Sequence, residues 1–229
     1  MAFAAIWACR HGRGIDVLGW ITRRAGLVVL CAGFLGRAAS GDQNMTENDV
    51  ILSMEWQPKT GHVIATSTME NRSAHAVMVF DRLFVTRPDG GRIVDPDRAY
   101  ITVMADGMML VDKLVPALPA DSDVESPEVP YARLVAPGGR LEGQALVGTP
   151  VLTNPPYGQP ATGALAPSVK NAVFRIGYAY VTDTMIAVPA RGSDDEIWSL
   201  RHNWVSINQR VLQGPILTMD MDIVQPLTP

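Results

Sequence analysis

Beyond position 40, the residues with chemistry to offer are three histidines, ten methionines and a few spaced carboxylates. Serine hydrolysis needs a nucleophile on a glycine-flanked elbow with a base nearby. No G-x-S-x-G occurs, and His62, His75 and His202 have no patterned partner. Each reads as a surface or strand-end histidine. A P-loop and a G-x-G-x-x-G fingerprint are both missing, so nucleotide chemistry has no visible cradle.

Soft thioethers with imidazole suit Cu(I). His75 with Met78, or the pair Met108 and Met109, are the candidates for that chemistry. Met78, Met219 and Met221 fall on predicted core faces, however, where methionine is a flexible filler. An H-x-M pair is absent. Calcium needs several oxygen ligands. "DSDVE" alternates Asp121, Asp123 and Glu125 in a loop but lacks the glycine and terminal glutamate of an EF-hand. These three are weak metal candidates, and the plainer reading is a solvated acidic loop. Asp220 and Asp222 share one strand face and read as charges that solubilise an edge. No enzymatic activity and no cofactor are expected.

Aromatic side chains offer a different function. Exposed tyrosine and tryptophan anchor protein partners. Tyr131, Tyr157, Trp198 and Trp204 lie in or beside loops and polar strands. In "NPPYG", Pro155 and Pro156 stiffen the loop that carries Tyr157, which lowers the entropy lost on binding. Tyr131, Pro155, Pro156, Tyr157 and Trp198 are the expected partner-binding residues.

These residues must be positioned by strands. After residue 50 the apolar period is two rather than 3.6. In "LTMDMDI", Leu217, Met219, Met221 and Ile223 point one way and Thr218, Asp220 and Asp222 the other. "RLEGQALV" turns Leu141, Gly143, Ala145 and Val147 inward. "AVFRIGYAYVT" has a large apolar face of Phe174, Ile176, Tyr178 and Tyr180. "AVMVFDRLFV" is apolar on both faces except at Asp81 and Arg82, which predicts a central strand that either bulges or leaves the core there. Asp-Gly in "RPDGGR" and "ADGMM" predicts two hairpins.

Eight or nine strands are expected, at 50–56, 62–69, 76–86, 99–105, 108–114, 140–147, 172–182, 202–212 and 216–224. Many short strands with Gly/Pro turns point to an all-β, antiparallel sandwich. Long Pro-rich loops interrupt it near 115–131 and 148–168.

Ahead of the strands, Arg23 and Arg24 precede an uncharged apolar run of 12 residues at 25–36. Ala38 and Ser40 then have the spacing that a signal peptidase prefers. A membrane-spanning helix needs about 20 residues, so the run is too short to cross. Residues 1–40 are expected to be a leader and signal helix, and 41–229 a single domain in the periplasm or outside the cell. A membrane association would follow only if the signal were retained. Residues 1–40 hold both cysteines, five arginines and one aspartate. The remainder has 14 basic and 22 acidic residues, a net charge near −8, which repels nucleic acid.

"STMENRSAHAVMVFDRLF", "TRPDGGRI" and "RLVAPGGRLEGQALV" together resemble the immunoglobulin-like modules of bacterial envelope proteins. The resemblance spans roughly residues 62–147 and lies in turn chemistry. It implies an immunoglobulin-like Greek-key sandwich and carries no site residue. Lacking a Cys pair around a core Trp, the chain departs from antibody-type domains. The expected function is binding of another protein or an envelope component, with a periplasmic metal-binding or chaperone-like role as the alternative.

Overall fold

A computed structural model describes residues 49–119, 124–158, 168–190 and 196–223 of the 229-residue chain. All belong to one compact unit bounded by Met45–Pro229. The expected signal at 1–40 lies outside the described residues, as do Asp121 and Asp123.

The period-two pattern builds strands where it is strongest. The elements run β1 (Val50–Lys59), β2 (His62–Asn71), β3 (Val77–Thr86), β4 (Arg92–Asp95), β5 (Tyr100–Val103), β6 (Met108–Lys113) and β7 (Tyr131–Val135). They continue with β8 (Arg140–Gly148), β9 (Ser168–Tyr180), β10 (Ala187–Pro189), β11 (Ile197–Leu200), α1 (His202–Asn208), β12 (Arg210–Gln213) and β13 (Leu217–Asp222). The described chain is therefore all-β in class, with thirteen strands rather than eight or nine. β4, β7, β10 and β11 are the additions. Each has three to five residues, too short to display a period.

The strands form two sheets. β1, β2 and β8 make an antiparallel sheet of three. The other ten form a second sheet centred on β9, which is long enough to pair with four neighbours. β13 and β12 follow one another along one of its edges. On the other edge β6 gives way to β3. The β6–β9 pair is parallel, a departure from a purely antiparallel sandwich.

The two sheets close on a shared core. β2 buries Val63, Ala65 and Met69, and β8 buries Ala145 and Val147. They meet Val77 and Val79 of β3 and Phe174, Ile176 and Tyr178 of β9. Burying each large side chain stabilises the fold by about 1.5–3 kcal/mol. The far side of the large sheet carries a second, smaller core. There Met78, Phe80, Ala132 and Ala179 pack with Val115, Leu200 and Val205.

Local chemistry fixes the turns. At the β5–β6 hairpin Gly107 has φ +83°, a region open to glycine, and Asp106 Oδ1 accepts the Met108 N–H at 2.9 Å. The fully buried Asn71 pins the β2–β3 connection. Its Nδ2 donates to the carbonyls of His75 (2.8 Å) and Val135 (3.1 Å), while its Oδ1 accepts the Ser73 hydroxyl at 2.7 Å.

One expected strand is not a strand. Residues 202–212 split into α1 and β12. The adjacent pair Trp204 and Val205 anchors α1 on the second core. Asn208 Nδ2 then bonds back to the Trp204 carbonyl at 2.8 Å and stabilises the turn. No helix among the described residues is long and apolar enough to cross a membrane.

Candidate functional site

Among the described residues, chemistry concentrates in three groupings and a cleft. The first grouping sits at the bulge of β3, where the register with β7 shifts between Val79 and Arg82. Asp81 is buried there, with its carboxylate held by guanidinium groups. Arg82 Nη1 donates to Oδ2 at 2.8 Å, and Arg133 Nε reaches both oxygens at 3.1 Å. Arg133 Nη2 also donates to Asp81 Oδ2 and, at 2.7 Å, to the Glu142 carbonyl of β8. Lys113 of β6 is fully buried and donates to the carbonyls of Pro96 and of Asp81.

Burial lowers the Lys113 ammonium from its ordinary 10.5 to about 8, against the pull of the Asp81 carboxylate. Alongside, Arg175 of β9 grips Asp112 with two bonds of 2.7 and 2.6 Å. That pair raises the Arg175 guanidinium further and keeps it charged. These groups are engaged with one another, and the arrangement holds β3, β6, β7 and β8 in register.

The second grouping joins the two long loops. Tyr100 donates its hydroxyl to Glu128 Oε2 at 2.7 Å, and the Glu128 backbone N–H donates to Tyr157 Oη at 3.2 Å. Burial first, and then the Glu128 carboxylate, push the Tyr100 hydroxyl well above its usual range. Arg98 reaches Asn154 Oδ1 at 3.1 Å. Tyr157 itself sits at φ 56°, in a single 3-10 turn, Pro156–Gly158. Pro155, Pro156 and Tyr157 are half-buried, and the Tyr157 hydroxyl ties its loop to the 115–131 loop.

The remaining expected partner residues lie in other settings. Tyr131 begins β7 and packs its ring 5.6 Å from Phe84, which Arg92 covers at 4.2 Å. Trp198 lies on β11 opposite Pro189 and Ala132, half-buried against the second core.

The third grouping concerns the histidines and methionines. His75 stands edge-on to Tyr180 at 6.3 Å. Met78 and Met109 are buried in the two cores. His62 opens β2 and His202 opens α1. Glu125 is exposed, and among the described residues no three His, Cys, Asp or Glu are grouped to hold a metal ion.

The cleft lies where α1 meets the chain leading into β10. It has a volume of about 150 Å³ and is lined by Thr184, Ile186, Arg201, Asn203 and Trp204. Val205 holds α1 down, so the N-terminal turn of the helix presents Asn203 and Trp204 to the opening. Ile186 is 51% exposed beside it, and Ile207, one turn beyond Trp204, is 83% exposed. An indole wall, a guanidinium, an isoleucine and two small polar side chains suit an apolar or acidic group.

Of this set, sequence reading singles out Trp204 alone, as an aromatic among polar neighbours. Thr184, Ile186, Arg201 and Asn203 carry no local signal, because the cleft exists only once α1 docks. Comparison with known proteins finds no family model, no curated protein and no solved structure that matches this chain.

Proposed function

We propose that this chain is an exported, non-enzymatic β-sandwich that binds another protein or an envelope component. In this reading a signal helix at 1–40 delivers the domain to the periplasm or the exterior. The domain is a variant of the immunoglobulin-like Greek-key modules, with the parallel β6–β9 pair as its departure.

The observation that supports binding is the size and lining of the cleft. Pockets for small-molecule substrates run to about 300–1,000 Å³. A cleft of about 150 Å³ takes a single side chain, and its Trp204, Arg201 and flanking isoleucines are residues that anchor partners. Solvent-exposed Ile186 and Ile207 extend the contact around it.

The test is co-purification from the envelope fraction of the organism that makes the protein. Wild type is expected to retain a stoichiometric partner. The double variant Ile186→Ser/Ile207→Ser, altered only at exposed positions, is expected to lose it by about tenfold or more. Equal retention by both proteins would remove the cleft from the account.

A further inference from the structure

The edges of the two sheets are treated unequally. β5 is covered by Asn154, which exchanges backbone bonds of 3.0 and 2.8 Å with Ile101. The Asp97 carbonyl accepts the Leu146 N–H on the outer side of β8 at 2.9 Å. Val151 donates to the Asp222 carbonyl at 2.7 Å and closes the end of β13. β10 has three residues and ends in Pro189, while β4 and β12 have four each. Such short, covered or proline-bearing edges are how sheets avoid unwanted pairing. β1 carries such guards only at its C-terminal end, in Pro58 and Lys59, and its stretch from Val50 to Gln57 has no proline. The strand runs for ten residues, and among the described residues it pairs only with β2.

The side chains under this edge are also incompletely covered. Leu52, Met54 and Trp56 face the core from β1 but are only partly buried. Leu212, Met219 and Met221 are partly buried below them, on β12 and β13. Met54 packs across Gly214, which joins those two strands, so the two rows form one apolar seam. The indole N–H of Trp56 is buried without an acceptor among the described residues. The charges of β1, Glu55 and Lys59, are both exposed, and none lies among Leu52, Met54 and Trp56 on the inner face.

We infer that β1 pairs antiparallel with β1 of a second copy of this chain, joining two three-stranded sheets into one of six. A two-fold axis through Met54 aligns the strands best. Met54 then faces Met54 and Leu52 faces Trp56, apolar against apolar along the seam. On the outer face Ser53 lies opposite Glu55, and Ile51 opposite Gln57. Moving the axis by one residue, to Glu55, sets two carboxylates opposite each other, which disfavours that register. The contact is isologous, so one strand supplies both halves. It is independent of the cleft beside α1.

Ser53 is exposed, and each dimer contains two Ser53–Glu55 contacts, so its charge reads out the register without touching the core. Light scattering and sedimentation of the purified full chain, from about 1 to about 100 µM, measure the assembly. Wild type is expected to dimerise. Ser53→Glu should weaken the dimer by about threefold or more, and Ser53→Lys should tighten it by a similar factor. A wild type that stays monomeric across that range overturns the inference, as it would if residues 224–229 or a foreign strand covered β1. A dimer that ignores both substitutions also overturns it, since it would use another surface.

Discussion

Lys113 shows how a single buried charge sets a measurable property. Its ammonium titrates near 8 in the fold and near the ordinary 10.5 once unfolded. Between those values the unfolded chain binds the proton and the folded chain does not, so stability rises with pH. The gain from pH 8 to pH 10 is about 2 kcal/mol. Above pH 10 the raised Tyr100 hydroxyl acts in the opposite sense, because there the folded state holds the proton that the unfolded chain loses. Groups facing Lys113 are Asp81 and Arg82 of β3, Asp97 and Arg133. Denaturant midpoints from pH 7 to pH 10 are expected to rise for wild type and to stay level for Lys113→Met. A level wild-type profile would contradict the assignment. The sequence shows half of this cluster. Asp81 and Arg82 break an apolar run, and of the two expected outcomes, a bulge or an exit from the core, the bulge is the one present. Their partner Arg133 lies 52 positions from Asp81, and no local pattern joins the two.

Among the elements, long strands are legible because burial on one face imposes alternation. β8 and β13 expose and bury alternate residues as their sequences prescribe. The strands at β4, β7, β10 and β11 are held by neighbours in the sheet rather than by their own pattern. α1 escapes for a related reason: seven residues complete fewer than two full turns and cannot show a helical period. Its C-terminal boundary is fixed by Gln209, whose side chain crosses Gly177 of β9. Gln209 Oε1 accepts the Val115 N–H at 2.8 Å, and Nε2 donates to the Val115 carbonyl at 3.0 Å. A Cβ at Gly177 would collide with Gln209 Oε1 and would sit 2.9 Å from Leu114 Cβ. Gly177→Ala is therefore expected to cost about 2 kcal/mol. Gln209→Ala costs a similar amount, and the double variant costs less than the sum, because the two changes act on one contact. Strict additivity in thermal melts would show that Gly177 is free of that constraint.

For the whole molecule, the sandwich follows from the strand pattern, whereas the cleft and the open β1 edge follow from how elements stack. That is why Trp204 is noticeable in the sequence and Arg201 and Ile186 are not. Tyr157 illustrates the difference. The sequence offers it as a stiffened, partner-facing aromatic, and in the fold its hydroxyl accepts the Glu128 N–H and ties two loops together. The partner-binding account depends on delivery of the domain out of the cytoplasm. The most direct measurement is the intact mass and compartment of the full-length protein expressed in a bacterium. A periplasmic or secreted species beginning near Gly41 is the predicted result. An uncut species confined to the cytoplasm would contradict the account.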